Sequence, residues 1–334
     1  MAIAPLPFEK EIQEMEQSLA KLEASAGESS SEEIRRMRRE ITNLLRKLYS
    51  ELTPWQTVLV SRHPERPQTM DYVGLIFDEF VELHGDRAFG DDRAIRTGFA
   101  RLGEHRVLLV GHQKGHTFKE RNECFYGCAH PEGYRKALNK MKLAAKFGLP
   151  VICLIDTPGA YPGLGAEERG QAQLIAISLF EMSRLPTPII CVVIGEGGSG
   201  GALGIGIGDR VSMLEHAYYS VISPEGCAGI LWKTATDATK TRAAQALKLT
   251  SRDLYHLRVI DDIIPEPVGG AHRNPREMGQ TLQRYLLKYL RQLKSMSADS
   301  LLEERYQKFR RMGVFAEGAI ETAASAETEP AARS

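Results

Sequence analysis

Residues 189–208, I-I-C-V-V-I-G-E-G-G-S-G-G-A-L-G-I-G-I-G, constrain the fold more than any other stretch. An apolar run of strand length empties into glycines, with a helix-like start behind them. Residues without side chains at a strand-to-helix turn let a ligand rest against backbone N–H groups. The expectation is a site made of main chain. Taken alone, the segment fits three motifs at once.

Its surroundings are alternating α and β from about Asp71 to Leu293. Val107–Val110, Val151–Ile155, Ile189–Ile194, Val211–Leu214, Tyr218–Ile222 and Val259–Ile264 read as strands. Between them, Tyr134, Leu138, Met141 and Ala145 mark one helical face, and Ile175, Leu179 and Met182 a second. Met278, Leu282, Leu286 and Leu293 mark a long late helix. This alternation predicts an α/β fold with parallel strands and helical crossovers.

Ahead of that region, Phe8, Ile12, Met15, Leu19 and Leu22 are spaced four, three, four, three. Ile34, Met37, Ile41, Leu44 and Leu48 repeat the seam after the breaking stretch E-A-S-A-G-E-S-S-S-E. Residues 1–50 are therefore expected to be a helical hairpin, packed on the main domain or gripping a partner. Residues 51–70, with three prolines, are expected to be an irregular connector. Residues 71–295 form the main domain, and 296–334 a further helix with a tail. Beyond Gly313 the chain is Ala-, Glu- and Ser-rich, and disorder is expected there.

The 43 basic residues balance 43 acidic ones, so bulk charge gives no reason to expect nucleic acid or a membrane surface. No apolar run approaches the roughly 20 residues of a membrane span. The start, M-A-I-A-P-L-P-F-E-K, lacks the features of a secretory signal. Five cysteines without a framework fit a reduced compartment, and the expected location is the cytoplasm.

Three chemistries compete for the glycine segment. Gly195-Glu-Gly197-Gly-Ser-Gly200 satisfies the dinucleotide pattern G-x-G-x-x-G, with Glu215 as the acid for a ribose. Against it, Gly204, Gly206 and Gly208 cut the following helix short. Gly197-Gly-Ser199-Gly-Gly201 matches the nucleophile elbow G-x-S-x-G, and Asp253 or Asp261 with His272 keeps the chain order of a serine hydrolase. No H-G-G-G oxyanion segment precedes it. The third reading is an oxyanion hole in which Gly200 and Gly201 open a helix, their N–H groups aimed at developing negative charge. Asp156-Thr157-Pro158-Gly159 resembles the D-x-P-G of GTPases, but the G-x-x-x-x-G-K-[ST] phosphate loop is absent.

Both glycine loops read in order decide among these. I-D-T-P-G-A-Y-P-G-L-G-A-E-E-R-G-Q (155–171) followed by residues 193–209 resembles the carboxyltransferase alpha subunits of acetyl-CoA carboxylase. L-T-P-W-Q (52–56), E-L-H-G-D-R (82–87), G-H-Q-K-G (111–115), P-E-G-Y-R-K-A-L (131–138), 219–233 and 263–275 extend the resemblance over roughly residues 5–312. It implies a crotonase-like fold, a spiral of ββα units with active sites at subunit boundaries. It also implies half of an enzyme. A zinc-ribbon-bearing beta subunit is the expected partner, as two alpha plus two beta, with biotin carboxylase in the larger complex. The expected reaction moves a carboxyl group from biotin, held on a biotin carboxyl carrier protein, to acetyl-CoA, and gives malonyl-CoA for fatty acid synthesis.

Carried onto this sequence, Gly200 and Gly201 would donate N–H groups to the ureido oxygen of biotin. Thr157, Pro158, Gly159, Ala160, Tyr161, Gly197 and Gly198 would line the carboxybiotin pocket, with Tyr161 as a flat wall. Glu167 and Glu168 are expected in the first turn of the next helix, complementing its dipole. The test expected to isolate the glycine pair is Gly201→Val, abolishing transfer in a folded oligomer. One departure stands out: where the family has an arginine after K-G, this chain has His116-T-F-K-E-R-N-E-C-F-Y-G-C-A-His130. Cys124, Cys128 and His130, with His112 and His116, offer metal-ligand types, but Cys-x3-Cys-x-His is not a usual zinc spacing. The reading taken is local variation of a loop, with no metal on this chain.

Overall fold

The computed structural model describes residues 4–25 and 31–313. The tail beyond Gly313 and part of the break between the two N-terminal seams lie outside the described residues. Among the described residues, eight strands form one sheet: β1 (Glu79–Glu82), β2 (Ile95–Leu102), β3 (His105–His112), β4 (Val151–Thr157), β5 (Ile189–Gly198), β6 (Arg210–Leu214), β7 (Tyr218–Ser220) and β8 (Asp262–Ile264). The order is β1-β2-β3-β4-β5-β6-β8, with β7 also pairing β5. β1, β2 and β3 are antiparallel, and every later pairing is parallel.

The mixed α/β architecture expected from the alternation is therefore present. Every residue of β4 and β5 is buried, which is why 151–155 and 189–194 run continuously apolar instead of alternating. Helix Pro131–Lys146 packs on β2 and β3, and helix Pro275–Lys294 closes against β8. The latter buries Met278, Leu282, Leu286, Leu290 and Leu293, and each fully buried leucine contributes about 2 kcal/mol. Helix Ala298–Arg310 follows and sinks Arg305, 1% exposed, onto Asp209 at 2.9 and 2.8 Å. Among the described residues, no helix is long and apolar enough to cross a membrane.

The two N-terminal seams form helices Lys10–Ser25 and Ser31–Ser50, whose apolar residues share one cluster with Val60. Buried Glu9 accepts from Tyr49 Oη and from Arg273 Nη2, both at 2.9 Å, so a charged pair fixes the hairpin to the segment before the helix Pro275–Lys294. Residues 51–70 depart from the expected irregular connector. Pro54 opens a helix, Pro54–Ser61, capped by Thr53, with Gln56 reaching back to the Thr53 N–H at 2.8 Å. Proline at the first helical position costs nothing there, because its missing N–H would be unpaired anyway. A second helix, Thr69–Ile76, ends the span.

β5 positions the site. Its first half pairs β6 at Ile190–Val193, and its last three residues pair β7. Between them its register against β4 slips: Ile155 faces Val193, but Thr157 faces Gly197. The slip sets Glu196 and Gly197 beside Asp156 and Thr157 at the carboxyl end of β4, with Gly198 just beyond it, the edge at which open parallel sheets bind ligands.

Candidate functional site: a glycine turn roofed by a loop

β5 ends at Gly198, Ser199 turns with φ 50, and a five-residue helix, Ser199–Leu203, begins. The first N–H groups of a helix have no intrahelical acceptor. None of the loop or side-chain hydrogen bonds among the described residues takes the N–H of Gly200 or Gly201. The chain 157–161 lies directly over this turn. A Cβ on Gly198 would sit 2.1 Å from the Pro158 carbonyl oxygen, and one on Gly201 would sit 2.4 Å from the Gly159 carbonyl carbon. At Gly197 it would meet the Tyr219 ring at 2.8 Å. The fold thus brings Thr157–Ala160 and Gly197–Gly201 into one place, while the Tyr161 ring packs on Phe125, His130 and Gly163.

Gly200 differs from its neighbours. A Cβ there meets only Ile175, at 3.5 Å, which is ordinary contact. Beside it opens a cavity of about 430 Å³, lined by Ser199, Gly200, Leu203, Tyr219, Leu254 and Val259 among others. No carboxylate, histidine, lysine or arginine lines it. The loop is closed on itself: Thr157 Oγ1 donates to the Gly159 carbonyl at 2.8 Å and accepts the Gly159 N–H at 3.1 Å. The Tyr161 N–H donates to Ala129, and Gln171 Nε2 donates to the Ala129 and Tyr161 carbonyls. Glu167 and Glu168 fall in a separate short helix, Leu164–Glu168. Only Glu167 is in its first turn, and the long helix Gln171–Ser183 starts afresh after Gly170.

Beneath the roof lies an ion cluster that the sequence reading missed. Lys114 Nζ, just past β3, reaches Asp156 Oδ1 on β4 and Glu196 Oε2 on β5, each at 2.6 Å. Arg62 Nε donates to Glu196 Oε1 at 2.5 Å and Nη1 to Glu225 at 2.5 Å, while Tyr218 Oη donates to Glu196 at 2.9 Å. Burial pushes the Glu196 carboxyl up, but Lys114 and Arg62 together outweigh it and hold it at about 2. Burial likewise opposes the Lys114 charge, and its two carboxylates more than restore it. The available signal was a charged residue at the end of each apolar strand.

The competing chemistries lack their parts. Ser199 does adopt the left-handed turn of an elbow, but His272 lies flat on His63 at 3.9 Å with both ring nitrogens unpartnered. Asp253 accepts from Thr250, and Asp261 from the Val211 N–H and Lys308. For a dinucleotide, a five-residue helix is too short, and Glu215 is engaged by the Glu266 N–H. The loop cysteines and histidines diverge: His116 binds Asp71 at 2.7 Å, His130 stacks on Tyr161, and His112 is fully buried. Among the described residues, no group of three or more His, Cys, Asp or Glu is placed to hold a metal ion.

Two of these histidines give a pH signature. Burial, with Lys114 adding repulsion, depresses His112 to about 3. Burial, then His63, depresses His272 to about 2. Both are neutral when folded and protonate in the unfolded chain below its ordinary value of about 6.5. Stability should therefore be full above pH 6.5 and fall as the pH drops. Near pH 5 the unfolding free energy should change by about 2.7 kcal/mol per pH unit from these two alone. Urea titrations from pH 7.5 to 4.5 measure that slope, and a flat profile down to pH 5 would contradict the neutral assignment.

The family model for acetyl co-enzyme A carboxylase carboxyltransferase-like proteins matches residues 5–313. The chain belongs to this carboxyltransferase family. A Rhodopirellula baltica protein named acetyl-coenzyme A carboxylase carboxyl transferase subunit alpha is 60% identical over 319 residues, covering 95% of this chain and 99% of its own. Proteins of the same name from Thermus thermophilus and Cronobacter sakazakii are each 51% identical, covering 94% of this chain and 99% of theirs. Solved structures share the fold at lower identity. The transcarboxylase 12S hexamer core matches with TM-score 0.52 and 23% identity over 66% of this chain, and the beta subunit of Pseudomonas (P. aeruginosa) geranyl-CoA carboxylase with TM-score 0.53 and 18% identity over 74%. This chain spans less than half of those two, 42% and 46%. The crotonase-like carboxyltransferase fold expected from the resemblance is the fold of this chain.

Proposed function

We propose that this chain is the alpha half of an acetyl-CoA carboxylase carboxyltransferase, acting in the cytoplasm with a beta subunit as two alpha plus two beta. In this reading it takes a carboxyl group from carboxybiotin on a carrier protein and passes it to acetyl-CoA, giving malonyl-CoA. Biotin carboxylase would recharge the carrier, and neither nucleic acid nor a membrane takes part. The observation that carries the reading is the pair of unclaimed N–H groups at Gly200 and Gly201 beneath the 157–161 loop, in a chain 60% identical to a relative of that name.

The site fits a flat, uncharged ring with one oxygen that becomes negative. Gly200 leaves open room where a Cβ would stand and the adjacent cavity is mainly apolar, and in this reading Thr157–Tyr161 with Gly197 and Gly198 would supply further walls. Carboxybiotin would bring the activated carboxyl group, with negative charge gathering on its ureido oxygen as that group leaves. The two N–H groups stabilise that charge, and one such donor is worth about 3 kcal/mol of barrier in comparable holes. The acetyl-CoA enolate needs a second hole, which the beta subunit would supply.

The purified chain alone should therefore form no malonyl-CoA, and adding a beta subunit with carboxylated carrier should start the reaction. Ser199→Ala should leave that rate within about threefold, since among the described residues no hydrogen bond joins a base to the hydroxyl to activate it. Transfer by the isolated chain would overturn the division of labour, and its loss in Ser199→Ala would revive the serine nucleophile.

A further inference from the structure

The turn 124–130 has a definite place beside the 157–161 loop. Phe125 and Tyr126 both adopt left-handed backbone, φ 47 and 56, ahead of Gly127 at φ 85. Two adjacent non-glycine residues in that region persist only where surrounding contacts hold them. The turn carries the Phe125 ring edge-on to His130 at 4.3 Å and to Tyr161 at 5.6 Å. His130 lies flat on Tyr161, centroids 4.0 Å apart and planes 20° from parallel. His130 is itself anchored: its N–H donates to Asp92 Oδ2 at 2.6 Å, and that carboxylate is only 3% exposed.

Tyr161 needs such support. Its backbone is hydrogen-bonded at both ends, but among the described residues no hydrogen bond fixes its hydroxyl. The plane of the ring is therefore set by packing, against the rings of His130 and Phe125 and against the backbone of Gly163. We propose that His130 and Phe125 are positioning residues that hold Tyr161 from behind and so set the affinity of the pocket for the biotin ring, without touching the reacting atoms. The inference rests on the carboxyltransferase reading above. It follows that this turn tunes one wall of the pocket and leaves the N–H groups of Gly200 and Gly201 alone.

The test uses the chain assembled with its beta subunit, running the transfer backward from malonyl-CoA to free biotin. His130→Ala should raise the KM for biotin about three- to tenfold, the worth of one aromatic contact, with kcat within twofold and the KM for malonyl-CoA unmoved. Phe125→Ala should shift the same KM by less. His130→Phe, which keeps a ring on Tyr161, should restore it. Thermal unfolding of each variant separates these effects from misfolding; if His130→Ala unfolds, Phe125→Ala and His130→Phe carry the test. An unmoved KM for biotin, or a fall in kcat alone, overturns the inference. An inactive wild-type complex would instead sink the carboxyltransferase reading, and this inference with it.

Discussion

Gly200→Ala will lower the kcat of the assembled carboxyltransferase by about 100-fold, the cost of displacing a reacting atom by roughly 1 Å, while the chain stays as stable as the wild type. The prediction turns on what each glycine is for. Gly198 and Gly201 serve the protein itself, because a methyl on either would strike the backbone of Pro158 or of Gly159 and Ala160. Gly201→Val, the natural choice from sequence, would therefore lift the loop off the turn and confound folding with chemistry. Gly200 has no such constraint: its backbone is not left-handed and its nearest neighbour is a flexible Ile175. The remaining reason for glycine is a ligand that must reach the amide. Steady-state transfer and thermal unfolding, measured together, decide it. Unchanged kcat would mean that nothing approaches the Gly200 N–H within the radius of a methyl group.

Local signals carried the fold where one strong pattern acted without competition. The apolar runs at 151–155 and 189–194 gave β4 and β5, and the spacing of Met278, Leu282, Leu286 and Leu293 gave its helix. β1 escaped notice because an edge strand of four half-exposed residues has almost no burial pattern to show. The helix Pro54–Ser61 was hidden by proline density, although Thr53 and Gln56 spelled a capping box. At the site, the glycine turn was visible because the need for close approach is written in residue type. The ion cluster was not, since Arg62, Lys114 and Glu196 lie 134 and 82 residues apart and meet only when the sheet forms. The ring stack of His130 on Tyr161 is hidden for the same reason.

That cluster sets the second large effect. Lys114→Met should destabilise the chain by about 3–5 kcal/mol at pH 7, the cost of leaving buried carboxylates without their cation. Lys114 is 17% exposed at its side chain and serves two acids at once, so this is not a surface pair of small worth. Arg62 would still hold Glu196, but Asp156 would keep only the Glu196 N–H. Asp156→Asn in the same chain should recover part of the loss by removing the orphaned charge, a coupling that a double-mutant cycle reads directly. The pH dependence has a fixed sign. In the wild type the depressed Glu196 contributes stability that is present above about 4.5 and lost as the pH falls toward about 2. Without Lys114 that depression shrinks, so the gap between variant and wild type should narrow as the pH drops below 4.5. Because Lys114, Asp156 and Glu196 sit at the ends of the three strands that deliver the loop and the glycine turn, transfer should fall along with stability. A loss under about 1 kcal/mol would show that water screens the cluster as it does a surface pair, and the roof over Gly201 would then need another support.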